Sequence, residues 1–311
     1  MIRRERSAIH SRLAVHLAGS ILAAACGQEG ATASARPSVA PGAASRDLVY
    51  ERTVGGNQDL YLIPAGGGVE RRLTDHAATD ALPRWSRDGQ WVYFTSDRSG
   101  NWQIYRVPPA GGQPERVRTN AYTEWQVEPS PNGKQIAFLS NKEGSEHLFV
   151  MDLATGAERV LARHGKSTIM GNPGWSPDGS RIVFSSNWRI GHQIYLVNAD
   201  GSGERRLTRF RRGGCEARFH PDGRRVVYVS RGHLSENSRP TEIDLQTGEE
   251  KALVEWPALN YNPAYSPDAA EIAFTSNITG DWVIYRQRLS DGQSWRVTYG
   301  TGPARSPDYR P

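Results

Sequence analysis

Carboxylates and amides recur at corresponding places in this chain, six to eight residues before an Asp or Asn that belongs to a short turn motif. These side chains, with two aromatic ones, are the candidates for binding chemistry: Asp80, Glu124, Trp125, Gln126, Asn172, Glu216, Asn260, Tyr261 and Asn262. If the fold gathers them around one axis, their oxygens could hold a cation or a polar ligand. They could equally solvate a water-filled channel, which is the plainer interpretation.

Other patterns that could do chemistry are weak. Gly165 to Thr168 resembles the end of a phosphate-binding loop, but Val160 stands where the first glycine is required. His76 and His164 are too few for a convincing metal site, and no G-x-S-x-G motif is present. We therefore expect no catalytic residue, no metal and no cofactor.

The stretch from Gly171 to Thr208 shows the elements that must position these side chains. Its Ser176-Pro177-Asp178-Gly179 segment is a turn, because Pro presets φ, Asp suits the third position and Gly accepts a left-handed backbone. Arg181 to Ser186 and Gln193 to Asn198 are strand-like runs of β-branched and aromatic residues. Short strands joined by tight turns predict an antiparallel sheet.

The sequence contains six copies of this repeat unit. We align the copies on an Asp or Asn at spacings of 44, 46, 44, 46 and 40: Asp88, Asn132, Asp178, Asp222, Asp268 and Asp308. A period of about 40–50 residues with four short strands per copy predicts an all-β, six-bladed β-propeller over residues 47–311. The first copy begins partway through the unit, so the segment from Pro303 to Pro311 should supply its inner strand and close the ring.

Two recurring residue types have structural explanations. The turn Asp residues should cap their turns. Large aromatic residues precede the turn in four copies and should pack between neighbouring sheets: Trp85, Trp175, Phe219 and Tyr265.

The N-terminal region differs in composition from the repeats. Residues 1–26 resemble an export signal, with a basic leader and a 13-residue apolar run from Leu13 to Ala25. Cys26 follows small residues, as in bacterial lipoprotein signals, and we expect it to be lipidated. Ordinary cleavage beside Ala25, Ala33 or Ala35 is the alternative. Residues 27–46 are small, polar and Pro-containing, which predicts a flexible tether.

Composition limits the function classes. The formal net charge of +5 is spread over 311 residues and gives little support for nucleic-acid binding. The chain has two cysteines, and with Cys26 in the signal, Cys215 has no partner for a disulfide. We expect Cys215 to be a buried apolar filler.

The W-S-P-D-G turn, the I-A-F-x-S strand, the I-Y strand and the G-G-x-x-R-R-L-T ending resemble the TolB-like propeller repeat across residues 47–311. That family implies a periplasmic propeller that binds a peptidoglycan-associated lipoprotein across one face. Residues 1–46 offer no counterpart to the α/β domain that precedes the propeller in TolB itself. The same repeat also occurs in peptidase propellers, but the hydrolase motif is missing here.

The sequence thus predicts an exported, lipid-anchored, monomeric propeller that binds another envelope protein and touches the membrane only through its anchor. Arg209, Arg211 and Arg212 form a basic loop that could meet an acidic partner, a phosphate-bearing lipid or an anionic glycan, or could simply be solvated. The segment from Arg231 to Thr241 departs from the other copies and is a candidate recognition insertion. The alternative function is a lyase or hydrolase that acts on a carbohydrate or another polar substrate at the channel mouth.

Overall fold

The computed structural model describes residues 47–188, 192–208, 214–231 and 237–311. The signal with Cys26, the tether, the three arginines of the basic loop and the middle of the 231–241 segment lie outside the described residues. The described part contains 24 strands in six antiparallel sheets of four, which confirms the six-bladed propeller. No segment of it forms a helix with the length and apolar character needed to cross a bilayer.

Five blades are each built from four consecutive strands. Blade B contains β4 (Asp80–Trp85), β5 (Val92–Ser96), β6 (Gln103–Val107) and β7 (Glu115–Arg116). Blade C contains β8 (Glu124–Pro129), β9 (Gln135–Ser140), β10 (His147–Asp152) and β11 (Glu158–Ala162). Blade D contains β12 (Met170–Trp175), β13 (Arg181–Ser186), β14 (Gln193–Asn198) and β15 (Arg205–Arg206).

The last two of these blades follow the same order. Blade E contains β16 (Gly214–Phe219), β17 (Arg225–Arg231), β18 (Ser238–Asp244) and β19 (Glu250–Ala252). Blade F contains β20 (Asn260–Tyr265), β21 (Glu271–Ser276), β22 (Val283–Arg288) and β23 (Ser294–Arg296). The first strand of each blade is the inner strand, which runs along the channel.

Blade A closes the ring. Its strands β1 (Asp47–Val54), β2 (Asn57–Pro64) and β3 (Arg71–Arg72) are joined by β24 (Ala304–Tyr309), in the sheet order β24-β1-β2-β3. Leu48 pairs with Tyr309, and Arg52 pairs with Ala304. The predicted closure by the C-terminal segment is therefore confirmed, and the inner edge of blade A is covered.

The sixth position of the repeat alignment was wrong. Asp308 lies inside β24 and pairs with Val49, so it belongs to an inner strand and not to a turn. Ser306-Pro307 corresponds to Leu82-Pro83 of blade B, although it looks like the Ser-Pro of the turn motif. The final spacing of 40, shorter than the 44 and 46 before it, reflects this four-residue shift.

The turns have the predicted chemistry. In blade D the Ser176 hydroxyl donates to Asp178 over 2.5 Å, and the same carboxylate accepts the Ser180 backbone N–H at 3.0 Å. These bonds, led by that of Ser176, lower the pKa of Asp178 to about 2. Equivalent serine-to-aspartate bonds of 2.6 Å occur in blades B and F.

The core lies between adjacent blades, where residues of two sheets interdigitate. Trp85 packs between blades A and B, Phe219 between D and E, and Tyr265 between E and F. Tyr309 has the same role between F and A. The Trp175 indole N–H of blade D donates to the Glu128 carbonyl of blade C over 3.2 Å. The inner-strand aromatics therefore hold blades together, as predicted.

Candidate functional site

Every inner strand contains one non-glycine residue at positive φ, beside a shift in strand register. These six residues form what we call the bulge ring: Leu82 (φ 56°), Gln126 (53°), Asn172 (50°), Glu216 (58°), Asn262 (52°) and Ser306 (55°). A left-handed conformation costs about 1 kcal/mol or more for most of these residue types. Its sixfold repetition indicates a shared purpose.

Hydrogen bonds between blades explain the bulge ring. The Gln126 amide oxygen of blade C accepts the Asn172 backbone N–H of blade D at 2.7 Å. The Glu216 carboxylate of blade E accepts the Asn262 backbone N–H of blade F at 2.5 Å. Gln126 and Glu216, which were predicted as site residues, thus accept hydrogen bonds that join neighbouring blades at the channel wall.

Glu51 makes the equivalent connection around blade A, whose bulge residue is Ser306. Its carboxylate accepts the Leu82 backbone N–H of blade B at 2.6 Å and the Ser306 hydroxyl at 3.0 Å. Burial raises the pKa of Glu51, although both bonds oppose that shift.

Three predicted site residues do not face an opening, contrary to expectation. Asp80, Glu124 and Asn260 begin their inner strands and are fully buried. The Asp80 carboxylate receives two bonds of 2.7 and 2.8 Å from Arg98. Glu124 is bonded to Arg118. The bulge offsets the alternation of side chains along each inner strand, so these positions point into the blades and not along the axis.

The Asn260 amide is held by backbone carbonyls, since it donates to Ser238 at 2.9 Å and to Ala258 at 3.0 Å. Trp125 and Tyr261 are also buried, at 5% and 7% exposure. The Tyr261 ring lies 5.9 Å from that of Trp282, in an aromatic contact. All three side chains are therefore buried in the fold and not exposed at an opening.

A layer of ion pairs that was not predicted lies next to the bulge ring, two residues further along the inner strands. Arg84 Nε lies 3.1 Å from Glu128, and Arg218 Nη1 lies 2.5 Å from Asp308. Asp308 also accepts the Trp85 backbone N–H at 2.8 Å. Burial raises the pKa of Glu128 and lowers that of Arg84.

The sequence contains a signal for this layer of ion pairs. The same inner-strand position carries Gly174 in blade D and Ala264 in blade F, so small residues leave room for the long charged ones. Arg218 of blade E reaches Asp308 of blade A past blade F, where Ala264 stands.

Two cavities lie along the channel. The smaller, of about 10 Å³, is lined partly by Asn172, Glu216 and Asn262 of the bulge ring together with Arg84 and Arg218, and has room for about one water molecule. The larger, of about 110 Å³, lies where the inner strands end, with Glu128, Arg218 and Asp308 among its lining residues. We call this end of the channel the turn face, and the end where the inner strands begin the starting face.

The other candidates from the sequence are His164, Cys215 and any cluster of metal ligands. His164 Nδ1 lies 2.7 Å from the Ser186 hydroxyl, and its ring stacks on Trp188 at 4.4 Å between centroids. Cys215 is half-buried and not fully buried as expected, and burial raises the pKa of its thiol to about 12. Across the described ranges, no group of three or more His, Cys, Asp or Glu side chains is placed to hold a metal ion.

Comparison with known proteins agrees with the architecture. Residues 24–168 and 128–235 match the TolB β-propeller domain family. An uncharacterized protein of Agrobacterium fabrum is 35% identical over 156 residues, which are 49% of this chain and 51% of that protein. An uncharacterized peptidase of Bacillus subtilis is 25% identical over 43% of this chain and 25% of its own length. The matches thus span about half of the length of the first of these curated relatives and a quarter of the second.

Solved structures share the fold at low identity. TolB from Acinetobacter baumannii superimposes with a TM-score of 0.76 and 19% identity, over 86% of this chain and 67% of that one. An oligogalacturonate lyase in complex with manganese superimposes with a TM-score of 0.59 and 20% identity, over 81% of this chain and 73% of that one. Both likenesses concern the fold alone.

Proposed function

Because the chain belongs to the TolB β-propeller domain family, we propose that it is a non-catalytic binding module for another protein of the bacterial cell envelope. The observation that carries this proposal is the pairing of its channel charges. Arg84 is bonded to Glu128 and Arg218 to Asp308, while Glu216 is committed to a bond between blades. Acid–base catalysis needs a carboxyl group free to reach a substrate, and these groups are held by the protein itself.

The proposal includes export by residues 1–26, lipidation of Cys26 and a tether formed by residues 27–46. A monomeric propeller on such a tether would reach partners close to the membrane surface. The partner we propose is an envelope protein of the peptidoglycan-associated lipoprotein type. Contact would involve the starting face and the basic loop of Arg209, Arg211 and Arg212.

The experiment is crosslinking of the tagged full-length protein in intact cells, followed by mass spectrometry of captured proteins. We expect one dominant envelope protein, whose capture is lost on Arg211→Glu. Lys251→Glu makes the same charge change at an exposed position on the outer strand of blade E and should retain capture. Absence of any specific protein, or equal loss in both variants, would contradict the proposal.

A second candidate is a carbohydrate-active enzyme, favoured by the structural likeness to the oligogalacturonate lyase. Its test is incubation of the purified protein with oligogalacturonate and Mn²⁺ while the absorbance of unsaturated products is followed. Product formation that is lost on Glu216→Gln but kept on Glu250→Gln would support the enzyme and displace the binding module.

A further inference from the structure

The turn of blade E begins with a histidine where four other blades have a serine. In blades B, C, D and F the serine hydroxyl donates to the turn Asp or Asn: Ser86, Ser130, Ser176 and Ser266. Blade E has His220 at this position, with 7% of its side chain exposed. A hydroxyl does not titrate near neutral pH, whereas imidazole has an unperturbed pKa of about 6.5. This turn therefore carries a group that can change its charge near neutral pH.

The imidazole of His220 takes the place of the serine hydroxyl in this turn. Its Nδ1 lies 3.0 Å from the Asp222 carboxylate, which also accepts the backbone N–H groups of Arg224 at 2.8 Å and Arg225 at 3.1 Å. The backbone closes the turn, since His220 N–H donates to the Arg225 carbonyl and Gly223 N–H donates to the His220 carbonyl, both over 2.9 Å. The ring and the backbone thus hold the same short turn.

The guanidinium group of Arg225 lies against the imidazole ring. Its Nη2 is 2.9 Å from Nε2 and 3.3 Å from Nδ1 of His220. A nitrogen this close to both ring nitrogens lies over the face of the ring, because an in-plane bond would bring it near one of them only. Tyr265 of blade F also contacts the ring, edge to face, with 4.7 Å between centroids. The ring is therefore enclosed by a cation and by the neighbouring blade.

The same guanidinium group joins the turn to two other strands. Its Nε donates to Asp222 over 2.7 Å, and its Nη1 donates to Glu242 of β18 over 3.1 Å. Glu242 in turn accepts the Tyr265 hydroxyl of blade F at 2.5 Å. Because a guanidinium group is planar and rigid, moving Nη2 away from the ring also moves the other two bonds. Arg225 thus couples the ring of His220 to the junction between blades E and F.

The surroundings of the ring favour its neutral form. The titratable and charged groups that face this turn, from its own strands and from its neighbours, are Asp222, Arg225, Glu242, Tyr265 and Arg181, which donates to the Gly223 carbonyl over 2.8 Å. Protonation would put an N–H on Nε2, where it meets the Arg225 cation in a buried place. Burial and then the charge of Arg225 lower the pKa of His220, while Asp222 opposes that shift.

We propose that His220 is an acid-sensitive latch, whose neutral ring holds Arg225 against the blade E turn and whose protonation releases Arg225 and opens the turn. The Arg225 side chain is 36% exposed, so it has solvent to move into. Asp222, Gly223 and Arg224 line a shallow groove between blades D and E, and opening the turn changes this part of the turn face.

The direction of the pH effect follows from the lowered pKa of His220. The folded value lies below the unfolded value of about 6.5, so the unfolded or opened turn binds more protons between these two values. The stability that the neutral ring contributes is fully present above the unfolded pKa. It is lost as pH falls toward the folded pKa, and the turn opens more often in acid.

The test is amide hydrogen exchange of the full chain at pH 7.5 and pH 5.0, with rates corrected for the intrinsic pH dependence of exchange and read by mass spectrometry. We expect the amides of residues 222–225 to exchange about threefold faster or more at pH 5.0, because opening of the turn is favoured there. The turn of blade D, which has Ser176 at the corresponding position, is the internal reference and should give equal corrected rates at the two pH values.

Two variants and a matched control separate the latch from general acid effects. His220→Ser, which supplies the residue of the other turns, should abolish the pH response of the blade E turn. Arg225→Gln should reduce that response by about half or more, because an amide can turn its oxygen toward a protonated ring. Arg224→Gln changes the neighbouring arginine, which is bonded to Asp244 and not to His220, and should keep the full response.

Equal acceleration of exchange in the turns of blades D and E at pH 5.0 would overturn the proposal. A full response that persists in His220→Ser or in Arg225→Gln would also overturn it, as would the loss of the response in Arg224→Gln.

Discussion

The amide oxygen of Gln126 accepts the backbone N–H of Asn172 at 2.7 Å, and both residues have left-handed backbone conformations in neighbouring blades. Glu216 and Asn262 repeat this relationship with a carboxylate in place of the amide. The conformational cost of the bulge is offset by a bond that no single blade could make. Blade-to-blade contact in this propeller is therefore polar at the channel as well as apolar in the core.

Loss of the amide acceptor should weaken the junction between blades C and D. We expect Gln126→Ala to lower the free energy of unfolding by about 1–3 kcal/mol, because the Asn172 N–H is left without a partner. Chemical denaturation measures this change. Gln126→Glu keeps an acceptor and should recover most of the loss at pH 5; equal destabilisation by both variants would show that the bond is unimportant.

Glu216 should make stability depend on pH. Burial raises its folded-state pKa above the unfolded value of about 4.3, so the folded protein binds more protons between these two values. The free energy of unfolding contributed by Glu216 is therefore highest below the unfolded pKa and falls as pH rises through the folded pKa.

Glu216→Gln tests this sign directly, because the amide keeps the acceptor and cannot ionise. We expect the stability of the variant relative to the unaltered protein to increase between pH 4.5 and pH 7, as measured by denaturant unfolding at several pH values. Parallel pH profiles for the two proteins would refute the assignment.

Asp80 should matter for stability and not for ligand binding. We expect Asp80→Ala to lower the free energy of unfolding by about 3 kcal/mol, because Arg98 would keep a largely buried charge without its partner. In the double variant with Arg98→Ala the two losses should be less than additive. Additive losses in thermal unfolding would mean that the pair is not coupled.

The crossing from blade F to blade A depends on Gly302. Its φ is +83°, and a Cβ there would overlap the Thr53 carbonyl oxygen, next to the 3.0 Å bond from the Thr53 N–H to Pro303. We expect Gly302→Ala to cost more than about 3 kcal/mol. Gly280 has a φ of +89° with open space around it, so Gly280→Ala should cost only about 1 kcal/mol of backbone strain. Similar melting temperatures for the two variants would contradict this account.

The fold could be predicted because its signals are local. A turn such as Ser176 to Gly179 specifies its own geometry through proline, aspartate and glycine, and six copies at a regular period specify the ring. Asp308 was assigned to a turn for the same reason. Ser306-Pro307-Asp308 has the residue types of the turn motif but lies in a strand.

The channel could be predicted only in part, because its contacts join residues far apart in sequence. Gln126 and Glu216 were identified as channel residues, and their partners lie one repeat of 46 residues further on. The bulge that turns Asp80 into its blade has only an incomplete local signal, since proline follows the bulge residue in four blades but not after Gln126 or Glu216. The Arg218–Asp308 pair spans 90 residues and depends on ring closure.

The pairing of Leu48 with Tyr309 has a kinetic consequence. Blades B to F can each form from hairpins of neighbouring strands, whereas blade A must bring together segments about 250 residues apart. Loop-closure entropy makes such non-local contacts slow to form. The seam between β24 and β1 should therefore be the last part of the ring to assemble and the place where amide hydrogen exchange first reveals its opening.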